Sequence, residues 1–316
     1  MKVAALYSDE KNWPVLSAET FPTQNFRPID PILDTVEQLL PHGINVVTTT
    51  WGALGSTRGG TPSVCRIIQD KFNIPTVVHL PIQAKTKQDI ESILRGLHLD
   101  GLHNILALGG DPPAGRVDYV PQQLRHRYAS DLVHQIVHLN AGLWMDNHMR
   151  YTKPGVSTKF GIGVAGFPEI HPADYREDLD HELNMQRNVE HLKIKVNAGA
   201  QYVIEQMIFD ADLHFEFARA VREAGINVPV IPGILPFERF DQVENFIGGE
   251  FRISLPTKFY ADLQNTPEED QKQLIEDHMA GVVKKLLDGR VPGIHFYCMN
   301  KSAPTIRLLD RARGKG

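Results

Sequence analysis

Polar side chains stand where short apolar runs give way to loops, and their types can carry protons or orient a ligand. Glu19 closes the run "PVLSAETFP" (14–22), Thr50 ends the threonines of "INVVTTTWG" (44–52), and His79 sits inside "TVVHLPI" (76–82). Asp111 follows "NILALGG", His171 lies in the loop "FPEIHP", and Gln206 comes near the end of "QYVIEQMIFD" (201–210). A carboxyl so placed can donate or accept a proton, while an imidazole, a hydroxyl or an amide can fix the orientation of what it acts on. Singly, most have a structural reading. A strand-end glutamate can cap a helix, a strand histidine can be hydrogen-bonded in the core, threonine favours strands, and an aspartate before Pro-Pro makes a turn. Gln206 is harder to dismiss, because an inward-facing amide needs partners that a ligand can supply. Recurrence at equivalent places carries more weight than any one residue.

The elements that position these groups repeat about eight times: an apolar run, a loop, then an amphipathic stretch. Besides the runs already quoted, "FGIGVAGFP" (160–168), "VPVIPGILP" (228–236) and "GIHFYCMN" (293–300) read as strands. Near-continuous apolar character over so few residues marks strands buried on both faces, hence a parallel sheet. Between them, "IDPILDTVEQLL", "TKQDIESILRGL", "LNMQRNVEHLKIKV" and "FEFARAVREAG" have helical periodicity, the last ending on a C-capping glycine. The alternation predicts one α/β domain over 1–316, a (β/α)8 TIM barrel, with an open doubly wound sheet as the alternative. Active sites of such barrels form at the C-terminal ends of the strands, where these polar residues fall. Residues 112–159 exceed what a barrel needs. Only "YASDLVHQIVHL" among them reads as helix, and "WMDNHMRYTKPGVSTK" reads as an irregular surface excursion or lid.

Bulk properties narrow the classes. In 316 residues, 42% are hydrophobic and 22% charged, and the net charge of −5 leaves no basic footprint for nucleic acid. No window approaches the roughly 18 apolar residues of a membrane span, and the N-terminal stretch makes a poor signal peptide, so a cytoplasmic location is expected. Cys65 and Cys298 read as two reduced, buried thiols, one disulfide being the other possibility, and two thiols are too few for an iron–sulfur cluster. No GxGxxG follows the first strand, no phosphate-binding GxxxxGK[ST] or HExxH occurs, and "HPADYREDLDHE" matches no metal-ligand template, so no metal is expected.

Read in order, "LSAETFP", "VVTTTWG", "ILALGGDPP", "YASDLV", "GFPEIHP", "VNAGAQYVIEQMIFD", "IPGILPF" and "HFYCMN" resemble the methylenetetrahydrofolate reductase family in its short, bacterial form. The resemblance runs from about residue 14 to 305. It implies a flavoprotein barrel that moves hydride from NAD(P)H to FAD and on to 5,10-methylenetetrahydrofolate, giving 5-methyltetrahydrofolate. It further implies Glu19 as the general acid that opens the methylene bridge. Asp111 would act beside the folate pterin and the flavin pyrimidine edge. Thr50, His79, Tyr128, Ala129, His171 and Lys195 would line FAD, and Gln206, Gln242 and Phe246 would bind substrates. Gln242 and Phe246, four apart, are expected on one face of the helix after "PGILPF". A homo-oligomer is implied as well.

The chain departs from that pattern in four places. Gly109 stands where bacterial relatives usually have arginine, Asn188 replaces a usual aspartate, and Thr20 replaces an aromatic. The "WMDNHMRYTKPGVSTK" segment has no counterpart in the short form. Two other functions fit parts of the pattern: methyl transfer from methyltetrahydrofolate to a corrinoid without flavin, and a non-catalytic flavin- or partner-binding subunit.

Overall fold

Runs that are apolar on both faces need cover on both, and a sheet closed on itself inside a ring of helices supplies it. The computed structural model describes residues 1–23, 27–52, 60–110, 120–146, 149–152, 155–247 and 252–315. Its strands are β1 (Val15–Thr20), β2 (Ile44–Thr49), β3 (Thr76–Pro81), β4 (Asn104–Leu108), β5 (Trp144–Met145), β6 (Tyr151–Thr152), β7 (Gly161–Gly166), β8 (Tyr202–Met207), β9 (Val230–Ile234) and β10 (Gly293–Phe296). Eight of them form a closed parallel barrel in the order β1-β10-β9-β8-β7-β4-β3-β2, the TIM barrel expected from the alternation. The quoted runs each contain one of these eight strands.

Strand alternation divides the side chains into two layers. Leu16, Ala18, Ile234, Ile294 and Phe296 point outward into one apolar cluster, and Val78, Leu80, Ile105, Ile162 and Val203 into another. The helices cover these clusters: α2 (Asp30–Leu39), α3 (Thr61–Phe72), α4 (Lys87–Leu99), α5 (Ala129–Asn140), α6 (His181–Asn197), α7 (Ala211–Glu223), α8 (Thr257–Asn265), α9 (Glu268–Asp288) and α10 (Ser302–Ala312). Their starts are set locally. Thr86 and Asp89 form a reciprocal capping box on α4, and Asp180 accepts from Leu183 N on α6. A third cluster, with Val46, Val77, Leu106, Tyr202 and Ile231, fills the lower barrel interior. Gly163 makes room for it, since a Cβ there would stand 2.4 Å from the Tyr202 ring.

The structure adds two elements that the sequence pattern did not predict. A short helix, α1 (Val3–Ser8), closes the N-terminal end of the barrel. Val3 and Tyr7 are fully buried, Val3 N donates to Asn104 Oδ1 at 2.9 Å, and the Tyr7 and Tyr202 rings lie 5.3 Å apart. Within the excursion, β5 and β6 pair antiparallel, so part of what read as irregular is a hairpin. It lies on the outer wall of the barrel: Met145 N donates to both carboxylate oxygens of the buried Glu91 on α4, and Tyr151 stacks on His138 of α5 at 3.9 Å.

The segment after "PGILPF" corrects a further expectation. Gln242 and Phe246 do not share one helix face, because the backbone makes two separate 3-10 turns, Phe240–Gln242 and Glu244–Phe246. The Gln242 side chain is also engaged locally, its Oε1 accepting from Glu238 N at 2.8 Å. Both cysteines are free and buried. Cys65 donates to Val77 O and Cys298 to Glu19 O, and burial pushes each thiol up to about 12.

Candidate active site

The upper barrel interior, at the C-terminal strand ends, is polar where the lower interior is apolar. β1 turns Ser17 and Glu19 inward, β3 turns His79 inward, and β10 contributes His295. Glu19 is 6% exposed and stands between two imidazoles, with Oε2 3.7 Å from His79 Nδ1 and 3.9 Å from His295 Nε2. Neither distance is a hydrogen bond, but contacts of catalytic groups are often this long before a ligand binds. Burial in the barrel pushes the His79 imidazole down to about 4, with Glu19 opposing that shift and His295 adding to it. His79 is therefore neutral near pH 7.

Several buried polar atoms of this floor have no hydrogen-bond partner among the described residues: the hydroxyls of Thr48 and Thr50, Nε2 of His79 and Nε2 of His295. Buried polar atoms are normally satisfied, and a cluster left open at a strand-end bowl is what a polar ligand would complete. Thr50 is tied to the rim by its backbone, its N donating to Thr20 O at 2.9 Å. Gln206 reaches the same end of β8, half-buried, with Oε1 accepting from Met207 N at 3.0 Å. Gly233 of β9 lets the neighbouring backbone close in, since a Cβ there would lie 2.5 Å from Glu205 O and 2.7 Å from the Tyr297 ring.

A second group collects above β7. Lys195 and Asn188, seven apart on α6, share a helix face. Lys195 Nζ donates to Ala165 O at 2.7 Å, and Asn188 Nδ2 donates to Phe167 O at 2.7 Å while its Oδ1 accepts from His171 N at 3.4 Å. The His171 ring meets Phe167 edge-on at 4.4 Å. Burial lowers His171, with Asp174 opposing and Lys195 reinforcing the shift, and burial also brings the Lys195 ammonium down to about 8. Tyr128 and Ala129 stand at the start of α5, where Asp131 accepts from Arg127 N and Tyr128 N. The Tyr128 ring is exposed, with the Arg127 guanidinium 5.1 Å from its centre. A separate cleft of about 510 Å³ lies beside this helix start under the hairpin, lined by Lys87, His126, Arg127 and Tyr151 among others.

Glu19 and His79 thus come together, with Thr50 at the rim of the same strand ends. Tyr128, Ala129, His171 and Lys195 belong to the loops and helices around that rim. Gln242 and Phe246 sit on the turns beyond β9, and Asp111 lies outside the described residues. His295 and Ser17 escaped the sequence reading, although one signal was available. In "GIHFYCMN" the alternation that turns Ile294 and Phe296 outward must turn His295 inward.

Over residues 6–313 the chain matches the family model for methylenetetrahydrofolate reductase. It is 30% identical over 311 residues to methylenetetrahydrofolate reductase 1 of Schizosaccharomyces pombe, which covers 97% of this chain and 47% of that protein. To the 5,10-methylenetetrahydrofolate reductase of Buchnera aphidicola it is 29% identical over 290 residues, covering 90% of this chain and 87% of the relative. The chain spans about half the length of the yeast and plant relatives it matches. Among solved structures, a Clostridium thermocellum protein that binds two copies of 5-methyl-5,6,7,8-tetrahydrofolic acid superposes with a TM-score of 0.62, covering 98% of this chain and 99% of that one. At 12% identity that likeness is one of fold. With the family model covering nearly its whole length, the chain belongs to the methylenetetrahydrofolate reductase family.

Proposed function

We propose that this chain, acting as one barrel unit over 1–316, is a flavin-dependent 5,10-methylenetetrahydrofolate reductase that forms 5-methyltetrahydrofolate with NAD(P)H as electron donor. The observation that carries this reading is the buried Glu19 carboxyl held between His79 and His295 at the C-terminal floor of a barrel of this family. As the acid, Glu19 gives its proton to the leaving nitrogen of the methylene bridge, opening it to the electrophilic iminium that accepts hydride. His79, neutral and with Nε2 unpartnered, offers one polar contact to a bound ring, and the Thr50 hydroxyl offers another. Gln206 orients the folate, and Asp111 takes its pterin end. Gln242 and Phe246 meet the substrates from the turns beyond β9.

The bowl fits FAD on chemical grounds. Its unpartnered buried donors and acceptors suit a polar ring edge, and the cationic Lys195 and the start of α5 suit its phosphates. Thr50, His79, Tyr128, Ala129, His171 and Lys195 are the residues that would hold it. Once bound, FAD supplies the ring that accepts hydride from one substrate and gives it to the other.

The test is anaerobic. The flavin of the reconstituted protein is reduced with NADH and with NADPH separately, then mixed with methylenetetrahydrofolate. Reduction by one nucleotide followed by folate-dependent reoxidation is expected. A protein that cannot be reconstituted with FAD, or whose reduced flavin ignores the folate, overturns the proposal. Glu19→Gln should lower folate-dependent reoxidation at least about 100-fold, the scale of one lost general acid, while flavin reduction continues unchanged.

A further inference from the structure

Glu19 has two imidazole neighbours, and they are not equivalent. His79 presents Nδ1 to the carboxyl and leaves Nε2 without a partner among the described residues, so none of these fixes its tautomer. His295 presents Nε2, and its other nitrogen is engaged: Nδ1 lies 2.9 Å from Ser17 Oγ. Ser17 in turn accepts from the Tyr7 hydroxyl at 3.1 Å. All three residues are 0% exposed. With Tyr7 as donor, the single Ser17 proton has two acceptors to choose from, His295 Nδ1 at 2.9 Å and Ile294 O at 3.5 Å. With that proton on the shorter contact, Nδ1 is an acceptor and the ring proton sits on Nε2, facing Glu19. The His295 ring is braced by an edge contact with Tyr297 at 4.9 Å, and Tyr297 is anchored by its hydroxyl on Glu205 O at 2.7 Å.

We propose that His295 is a positioning residue for Glu19: the chain Tyr7–Ser17–His295 locks the imidazole with Nε2–H toward the carboxyl, and this donor sets the pH range in which Glu19 serves as acid. The chain begins on α1, the helix that plugs the opposite end of the barrel, so the plug helps hold the acid in its working state. The inference rests on the function proposed above and names a role for residues which that function leaves unused.

Among the described residues, the groups facing Glu19 and His295 are limited. His79 comes from β3. Tyr297 and Cys298 follow the end of β10, both held protonated by burial, and the Cys298 thiol donates to Glu19 O. Tyr7 and Tyr202 lie beneath, likewise raised by burial. The Glu205 carboxyl points away, bonded to His214 Nδ1 at 2.8 Å. Removing the Nε2–H, whose dipole faces the carboxyl from 3.9 Å without a hydrogen bond, takes stabilisation from the carboxylate and none from the acid form. The alkaline limb of the folate half-reaction should therefore move upward.

Two measurements test this. In the cofactor-free protein labelled with ¹⁵N-histidine, the resonance lost in His295→Gln should report a bare Nδ1 and a protonated Nε2. A protonated Nδ1 overturns the proposal whatever the protein's activity. In the reconstituted enzyme, His295→Phe and Tyr7→Phe should each move the alkaline limb of folate-dependent flavin reoxidation up by about one pH unit, leaving reduction by NAD(P)H in place. His295→Gln, whose amide can donate from the same position without help from Ser17, should restore the limb to within about 0.3 unit, and Tyr7→Phe added to it should then do nothing. A merely structural histidine would lower amplitudes without moving the limb, and that result in Tyr7→Phe, whose only change is one hydroxyl, overturns the proposal. A wild-type protein with no folate-dependent reoxidation instead sinks the functional reading, and the nitrogen resonances still decide the tautomer.

Discussion

Gly109 stands where the resemblance to bacterial members implies an arginine, and among the described residues nothing steric keeps one out. The glycine is exposed at the end of β4, and a Cβ built there meets no atom of the described residues within 4 Å. Gly109→Arg should therefore leave the unfolding midpoint within about 0.5 kcal/mol of the parent, as surface changes usually do. A guanidinium at the mouth of the bowl should tighten flavin binding by about three- to tenfold, the reach of one partly screened cation on a phosphate. Quenching of flavin fluorescence on titration reads the affinity, and unchanged or weaker binding would place the cofactor's phosphates elsewhere. Asn188 departs from the pattern for a reason the structure makes plain. Its Nδ2 donates to Phe167 O, and a carboxylate cannot. Restoring the family aspartate with Asn188→Asp should cost about 1–3 kcal/mol in urea unfolding, because it opposes an acceptor to an acceptor in a buried place. No loss, or a gain, would mean that the loop after β7 rearranges freely.

Among the elements, the inserted hairpin is fastened by side chains of α4 and α5. Glu91 is buried and accepts from Met145 N with both oxygens, and Gln135 links the same carboxylate to His126 and to Lys87 O. Glu91→Ala removes that acceptor and should speed tryptic cleavage after Arg150 several-fold, with the barrel cut no faster and a global cost of about 1–3 kcal/mol. Glu91→Gln, which keeps one acceptor oxygen, should fall between. Equal cleavage rates in all three proteins would show that the Tyr151–His138 stack and the packing of Trp144, with the Arg95 guanidinium 5.3 Å from its ring, hold the hairpin without Glu91. The barrel strands were legible in the sequence because burial on both faces leaves a run of apolar residues that no surface element has. The hairpin was not, since two-residue strands such as Trp144–Met145 carry no period. Nor was α1, whose six residues are less than two turns and whose helix exists because Val3 and Tyr7 have a barrel end to fill. The spacing of Gln242 and Phe246 suggested a helix face, but two 3-10 turns with a break at Val243 fit the same spacing. Within the site, the acid at 19 and the histidine at 79 could be read from their strand ends. His295 could not be weighed until the closing of β10 against β1 set it beside Glu19.

Burial in the barrel lowers four of its histidines, and this shapes how the molecule responds to acid. Burial lowers His79, His103, His126 and His171 together, so each binds its proton in the unfolded chain at a higher pH than in the folded one. Where the unfolded state binds more protons, stability rises with pH. These groups therefore cost nothing above their ordinary value of 6.5 and drain stability as pH falls below it. For His79, which is 5% exposed, the window runs from 6.5 down to about 4. At about 1.4 kcal/mol per unit, the loss reaches about 3 kcal/mol at its lower end. Glu169 and Glu205, raised by burial, act in the opposite sense. They keep protons in the folded state that the unfolded chain gives up, so their contribution fades as pH rises through the raised values. The total slope mixes both signs, and a difference curve separates them. Urea unfolding of the parent and of His79→Asn, compared from pH 7 to pH 4, should show the parent losing about 3 kcal/mol more than the variant, nearly all of it below pH 6.5. Parallel curves would mean that water reaches His79 and lets it charge inside the barrel, and the neutral imidazole beside Glu19 would then have to be abandoned.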